Sequence, residues 1–114
     1  MNGVSLARLN VDEAIERMGD REIFMEIARF FAGQLPDSVQ NLERALVEGR
    51  LEDAGRLAHS LKSNCAAMGA ELLREKCQTM EHRCRDGEGA GAREVFFSLK
   101  PSFIELQRKL ENIV

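Results

Sequence analysis

With 114 residues, 44% of them hydrophobic and 31% charged, the chain can bury one core, and a single domain over 1–114 is expected. A net charge of −3 and the absence of Trp and Tyr argue against a nucleic-acid surface, which needs basic side chains and stacking rings. No apolar run approaches the roughly 20 residues that span a bilayer. The first residues lack a signal peptide's basic start and apolar stretch, and three cysteines make no disulfide framework. The expectation is a cytoplasmic monomer that binds neither membrane nor nucleic acid.

After an irregular start, Val11 to Met18 reads as a short helix, capped by Asn10 and ended by Gly19. Asp20 can cap a second helix with apolar positions at Ile23, Ile27, Phe30, Phe31, Leu35, Val39, Leu42 and Leu46. The phase holds across Pro36, which predicts a kinked helix or two stacked pieces. Phe24 and Met25 widen that apolar face, either to pack on the first helix or to dock a partner. Gly49 closes this element; Leu51 to Met68 forms a third helix, Gly69 a tight stop, and Ala70 to about Arg85 a fourth. The run Asp86-Gly87-Glu88-Gly89-Ala90-Gly91 predicts a flexible loop. A last helix carries Ala92, Phe96, Leu99, Phe103, Leu106, Leu110 and Ile113 through Pro101. No strand-like alternation interrupts the pattern. The fold expected is all-α: an antiparallel up-down four-helix bundle, with the short additional N-terminal helix across one end.

The third helix has two faces of different logic. At about 100° per residue, Leu51, Ala54, Leu57, Ala58, Leu61, Cys65 and Met68 share one apolar arc, and His59 points roughly 150° from its centre. His59 is therefore expected in solvent. On its own face Gly55, Ser63 and Ala66 stand at i−4, i+4 and i+7, all small, with Lys62 at i+3. A helical glycine costs about 1 kcal/mol relative to alanine, so Gly55 points to something that must approach the ring closely. Imidazole is largely neutral and nucleophilic near pH 7, and a phosphorylated imidazole keeps a good leaving group. Phosphoryl transfer asks mainly for alignment and neutralised charge, and Lys62 can supply the charge.

The other candidates read as structural. Cys77 and Cys84 fall on the apolar stripe with Leu73 and Met80 while His82 lies off it, so Cys-x4-His-x-Cys reads as core thiols and no metal site is expected. Cys65 has the same core reading. Glu43, Glu48, Glu52 and Asp53 read as solvated surface, and Arg83 and Arg85 as favourable charges at a helix C-terminus.

The segment Ala58-His59-Ser60-Leu61-Lys62-Ser63-Asn64-Cys65-Ala66-Ala67-Met68-Gly69-Ala70, followed by Leu73, Cys77 and Met80-Glu81, resembles the signature of histidine-containing phosphotransfer (HPt) domains. That signature is A-H-x-L-K-G-x(5)-G-A, then a leucine-rich helix ending in a leucine-glutamate pair. Gly19-Asp20, Phe30 and Phe31, Pro36 and the leucine-rich run into Gly49 extend the likeness upstream; the last helix matches only in apolar spacing.

The resemblance implies that His59 is the phosphorylated histidine, attacking through Nε2, that Lys62 supports the phosphoryl group, and that Gly69-Ala70 is the turn between the central helices. Ser63 stands where the family usually has glycine, and Glu81 matches a position often polar near the active face. With Gly55 and Ala66, which helical spacing puts on the same face, Ser63 and Glu81 make up the expected supporting surface. The implied function is a phosphorelay intermediate that takes a phosphoryl group from the aspartate of one receiver domain and passes it to another. Its implied partners are response-regulator receiver domains and a hybrid sensor histidine kinase. The receiver would bring Mg²⁺; this chain shows no phosphate loop, ATP site or cofactor site of its own, so an autonomous kinase is not expected. Two alternatives stand beside it. A purely structural helical bundle explains the apolar stripes but not the small residues around His59. A phosphorylation-independent helical bundle that binds receivers would keep the docking face but usually lose the His or the Lys, both retained here. The initiating Met and the five-helix length favour a free-standing protein.

Overall fold

The computed structural model describes residues 6–113; residues 1–5, the beginning of the expected irregular start, and residue 114 lie outside the described residues. Five helices follow one another: α1 (Val11–Met18), α2 (Arg21–Val47), α3 (Leu51–Met68), α4 (Glu71–Arg85) and α5 (Gly89–Ile113). Among the described residues there is no strand, and no helix is long and apolar enough to cross a membrane. Connections of two or three residues turn the chain back at each step, so α2 to α5 run up and down as an antiparallel bundle. Each of these four helices packs on its two neighbours around the ring, and α1 lies against α2 and α3.

Both anticipated caps are made. The Asn10 side chain accepts from the Glu13 backbone N–H at 3.2 Å and that of Asp20 from Ile23 at 3.0 Å, each worth about 1 kcal/mol. Pro36 does not divide the second helix: α2 runs 27 residues through it. The proline lies on the exposed side, where water can reach the carbonyl that its missing N–H leaves open.

The apolar phase of α2 differs from the expectation at its N-terminal half. Phe24, Ala28, Phe31, Ala32 and Leu35 face the core, whereas Ile23, Ile27 and Phe30 are exposed at 47%, 39% and 68%. Two apolar stripes lie side by side here, and the alanines, too small to stand out in the sequence, belong to the buried one. Beyond Leu35 the phase is as expected, with Leu42 and Leu46 fully buried and Val39 partly so. Phe24, Phe96, Phe103, Leu61, Met68 and Leu73 belong to one continuous core cluster.

Gly69 fixes α1 to the turn that carries the central helices. Its φ of +79° closes α3 through Ala70 N–H to Cys65 C=O (2.9 Å) and its own N–H to Ala66 C=O (3.2 Å). Its carbonyl accepts the Asn10 N–H at 3.0 Å, and a Cβ here would lie 2.5 Å from the Asn10 oxygen. Arg17 adds a bond from α1 to the Ala66 carbonyl at 3.0 Å.

The glycine-rich segment is shorter as a loop than its composition predicts. Gly87, at φ +77°, closes α4 with the same pattern of bonds, Glu88 N–H to Arg83 C=O and Gly87 N–H to Cys84 C=O. The Glu88 carbonyl then accepts from Ala92, so Gly89, Ala90 and Gly91 are already helical. Packing explains why: a Cβ on Gly91 would lie 2.6 Å from Arg83 Nη1, so the absent side chain makes room for that guanidinium against α5.

Candidate functional site

The outer face of α3 beside α4 carries the site. His59 projects there with its side chain 57% exposed, as the helical geometry predicts, but its ring is not free. Nδ1 lies 3.0 Å from Glu81 Oε2 on α4. Lys62, one turn along α3, donates to Glu81 Oε1 at 2.7 Å, and Arg85, one turn along α4, donates to Oε2 at 2.8 Å. One carboxylate thus gathers an imidazole and two cations.

Glu81 itself is buried, 4% exposed, with Met80 and Cys84 fully or nearly buried beside it. It belongs beneath the site, not to the supporting surface that the sequence suggests. Burial alone would push its carboxyl up, but the bonds from Lys62 and then His59 outweigh burial and hold it below the ordinary carboxylate range. An ionised carboxylate only accepts hydrogen bonds. In the neutral imidazole the proton shared with Glu81 is therefore assigned to Nδ1, with the Nε2 lone pair on the opposite ring edge.

A concavity between α3 and α4 opens beside the ring, with Gly55, Arg56, Ser60 and Arg85 among its walls. Gly55 is part of it, and a Cβ there would make ordinary contact with Cys84 Cβ at 3.5 Å, so it narrows the groove floor without holding the helices apart. Ser63 and Ala66 are placed differently from the expectation. Ser63 is exposed farther along α3, and Ala66 is half-buried with its carbonyl bonded by Arg17 from α1; neither lines the concavity. The i+4 and i+7 steps carry them past the ring toward the Gly69 turn.

Arg85 is the residue that sequence reasoning leaves at the helix dipole and that the structure brings to His59. Its signal was present as the i, i+4 spacing from Glu81, which puts both on one face of α4. The thiols do not converge on a ligand: Cys65, Cys77 and Cys84 are buried and free, while His82 is exposed. A hydrogen bond with Cys77, and then burial, push the Cys65 thiol far above the ordinary range; burial, and then the Glu81 charge, raise Cys84.

A protein-family model described as Hpt domain matches residues 26–114. Among curated proteins, the Myb-related protein A of Gallus gallus is 34% identical over 71 residues, 61% of this chain. The chain spans only 9% of that protein's length. No solved structure matches the chain.

Proposed function

The chain belongs to the Hpt domain family, whose members serve phosphotransfer in phosphorelays, and we propose that His59 is the residue through which it acts. The observation that carries this reading is the exposed ring bonded through Nδ1 to a buried carboxylate. In the neutral ring Nε2 then holds a lone pair and no proton, so that form needs no general base. Nε2 attacks the phosphorus of a receiver's aspartyl phosphate, the N–P bond forms, the P–O bond to the aspartate breaks, and the aspartate leaves as a carboxylate. Nδ1 keeps its proton, the ring becomes cationic, and Glu81 balances that charge. A cationic phosphoimidazole remains a good phosphoryl donor, and the reverse steps pass the group to a second receiver.

Lys62 supports the phosphoryl group by its charge, from its bonded position on Glu81. The receiver would supply Mg²⁺ with its aspartate, and a hybrid sensor kinase would feed the relay, in the cytoplasm. The exposed Ile23, Ile27 and Phe30 on α2, next to α3, supply the apolar contact that a receiver needs around a polar centre. Those three residues would equally serve a receiver-binding module that is never phosphorylated, and one experiment separates the two. The chain is incubated with radiolabelled, phosphorylated receiver domains from its own genome. Label that is acid-labile and base-stable on wild type and missing from His59→Gln is expected. No label from any receiver, or equal labelling of the variant, overturns the proposal.

A further inference from the structure

The mechanism above leaves one cation of the cluster unused. We infer that Arg85 is the group that contacts the phosphoryl oxygens directly, turning part of its guanidinium from Glu81 to the phosphate while Lys62 stays on Glu81. This rests on the reading that His59 is phosphorylated.

Placement is the first ground. Arg85 Nη2 and His59 Nδ1 bond the same oxygen, Glu81 Oε2, at 2.8 and 3.0 Å, so guanidinium and ring lie no farther apart than two hydrogen bonds. Both face the same concavity. Freedom of movement is the second. The Arg85 side chain is 67% exposed, against 22% for Lys62, whose ammonium is held on the other carboxylate oxygen at 2.7 Å. An arginine at the last position of α4 can keep one N–H on Glu81 and offer others of its five as a fork to a phosphate.

Charge is the third ground. Glu81 and Lys62 cancel, and the phosphoryl group's charge of about −2 exceeds the single positive charge of the ring that carries it. A further cation must meet it, and the neighbouring arginines are committed elsewhere. Arg56 bonds Glu52 and Asp53 on its own helix, and Arg83 lies against Gly91 of α5. The competing reading is that Arg85–Glu81 is an ordinary i, i+4 surface pair, which contributes little to stability and nothing to phosphate chemistry.

The test uses the full chain, phosphorylated by a phosphorylated receiver or by phosphoramidate, as wild type, Arg85→Lys, Arg85→Gln, Arg85→Ala and Lys62→Met. The ³¹P signal of phospho-His59 is titrated, labelling rates are measured, and thermal unfolding is followed in parallel. A cation touching the phosphoryl oxygens favours their ionised form, so Arg85→Ala and Arg85→Gln should raise the phosphoryl's titration midpoint by about 0.5 to 1 pH unit. They should slow labelling about tenfold, with Arg85→Lys between them and wild type. The unfolding temperature of the Arg85 variants should stay within about 2 °C, as for an exposed pair. Wild-type midpoint and rate in both Arg85→Ala and Arg85→Gln would overturn the assignment, as would a midpoint that moves only in Lys62→Met. Wild type that takes no label from either donor removes the assignment together with the reading beneath it.

Discussion

Replacing Glu81 separates what the carboxylate does for His59 from what it does for the fold. In Glu81→Leu the ring loses the acceptor that places its proton on Nδ1, and the proton divides between the two nitrogens. A hydrogen bond to a charged acceptor is worth about 1.5–3 kcal/mol and a neutral one about 0.5–1.5. With 1.36 kcal/mol per factor of ten, Glu81→Leu should slow phosphoryl acceptance roughly a hundredfold and Glu81→Gln about tenfold. Lys62, partly exposed, and Arg85, mostly exposed, can turn to water, so no charge is stranded. Leucine in the buried site should therefore change stability by no more than about 1–2 kcal/mol, in either direction. The rate is read from labelling by a phosphorylated receiver, the proton position from ¹⁵N shifts of the His59 ring, and stability from urea unfolding. A Glu81→Leu variant that labels within threefold of wild type, with Nδ1 still protonated, would refute the role given to the carboxylate.

Acid should act through the same group. The Glu81 carboxyl is held below the ordinary glutamate value of about 4.3, so the stability it gives is complete above that value and lost as pH falls through its lower folded value. The stability difference between wild type and Glu81→Gln should therefore shrink as pH falls below about 4; a difference that persists unchanged to about pH 2 would contradict the assignment. Gly69→Ala meets both a left-handed backbone and the Asn10 carbonyl, whereas Gly87→Ala meets only the backbone penalty of about 1–2 kcal/mol. Urea unfolding should therefore show the larger loss at Gly69, by at least about 1 kcal/mol. Ile23→Ser with Phe30→Ser removes exposed apolar surface, so stability should move by less than about 1 kcal/mol while receiver affinity, followed by titration calorimetry, falls at least tenfold. Unchanged affinity would place docking elsewhere.

Helix bounds and the exposure of His59 were legible because both rest on local rules. Asn10 and Asp20 mark starts, Gly19 and Gly69 mark stops, and a 100° step places His59 opposite Leu61 and Cys65. What escaped depends on contacts between helices. The buried stripe of α2 is partly alanine, Ala28 and Ala32, and the larger Ile23, Ile27 and Phe30 beside it mimic a core face. Gly89 and Gly91 look like loop until Arg93 and Leu51 are seen beside the first and Arg83 in the space a side chain on the second would take. Glu81 reads as a surface acid because nothing in its own helix reveals that His59 and Lys62 of α3 will close over it. Arg85 could only be placed once Glu81 was.

The protein carries two histidines, and both are accessible: His59 on α3 and His82 on α4. Only His59 is bonded through Nδ1 to Glu81. The most direct measurement is therefore a ¹H–¹⁵N–³¹P correlation spectrum of the uniformly labelled chain after exposure to a phosphorylated receiver. A single phosphorus coupling is expected, to Nε2 of His59, with the Nδ1 proton retained and His82 unchanged. Coupling to Nδ1, coupling to His82, or no phosphorus on either ring would contradict it.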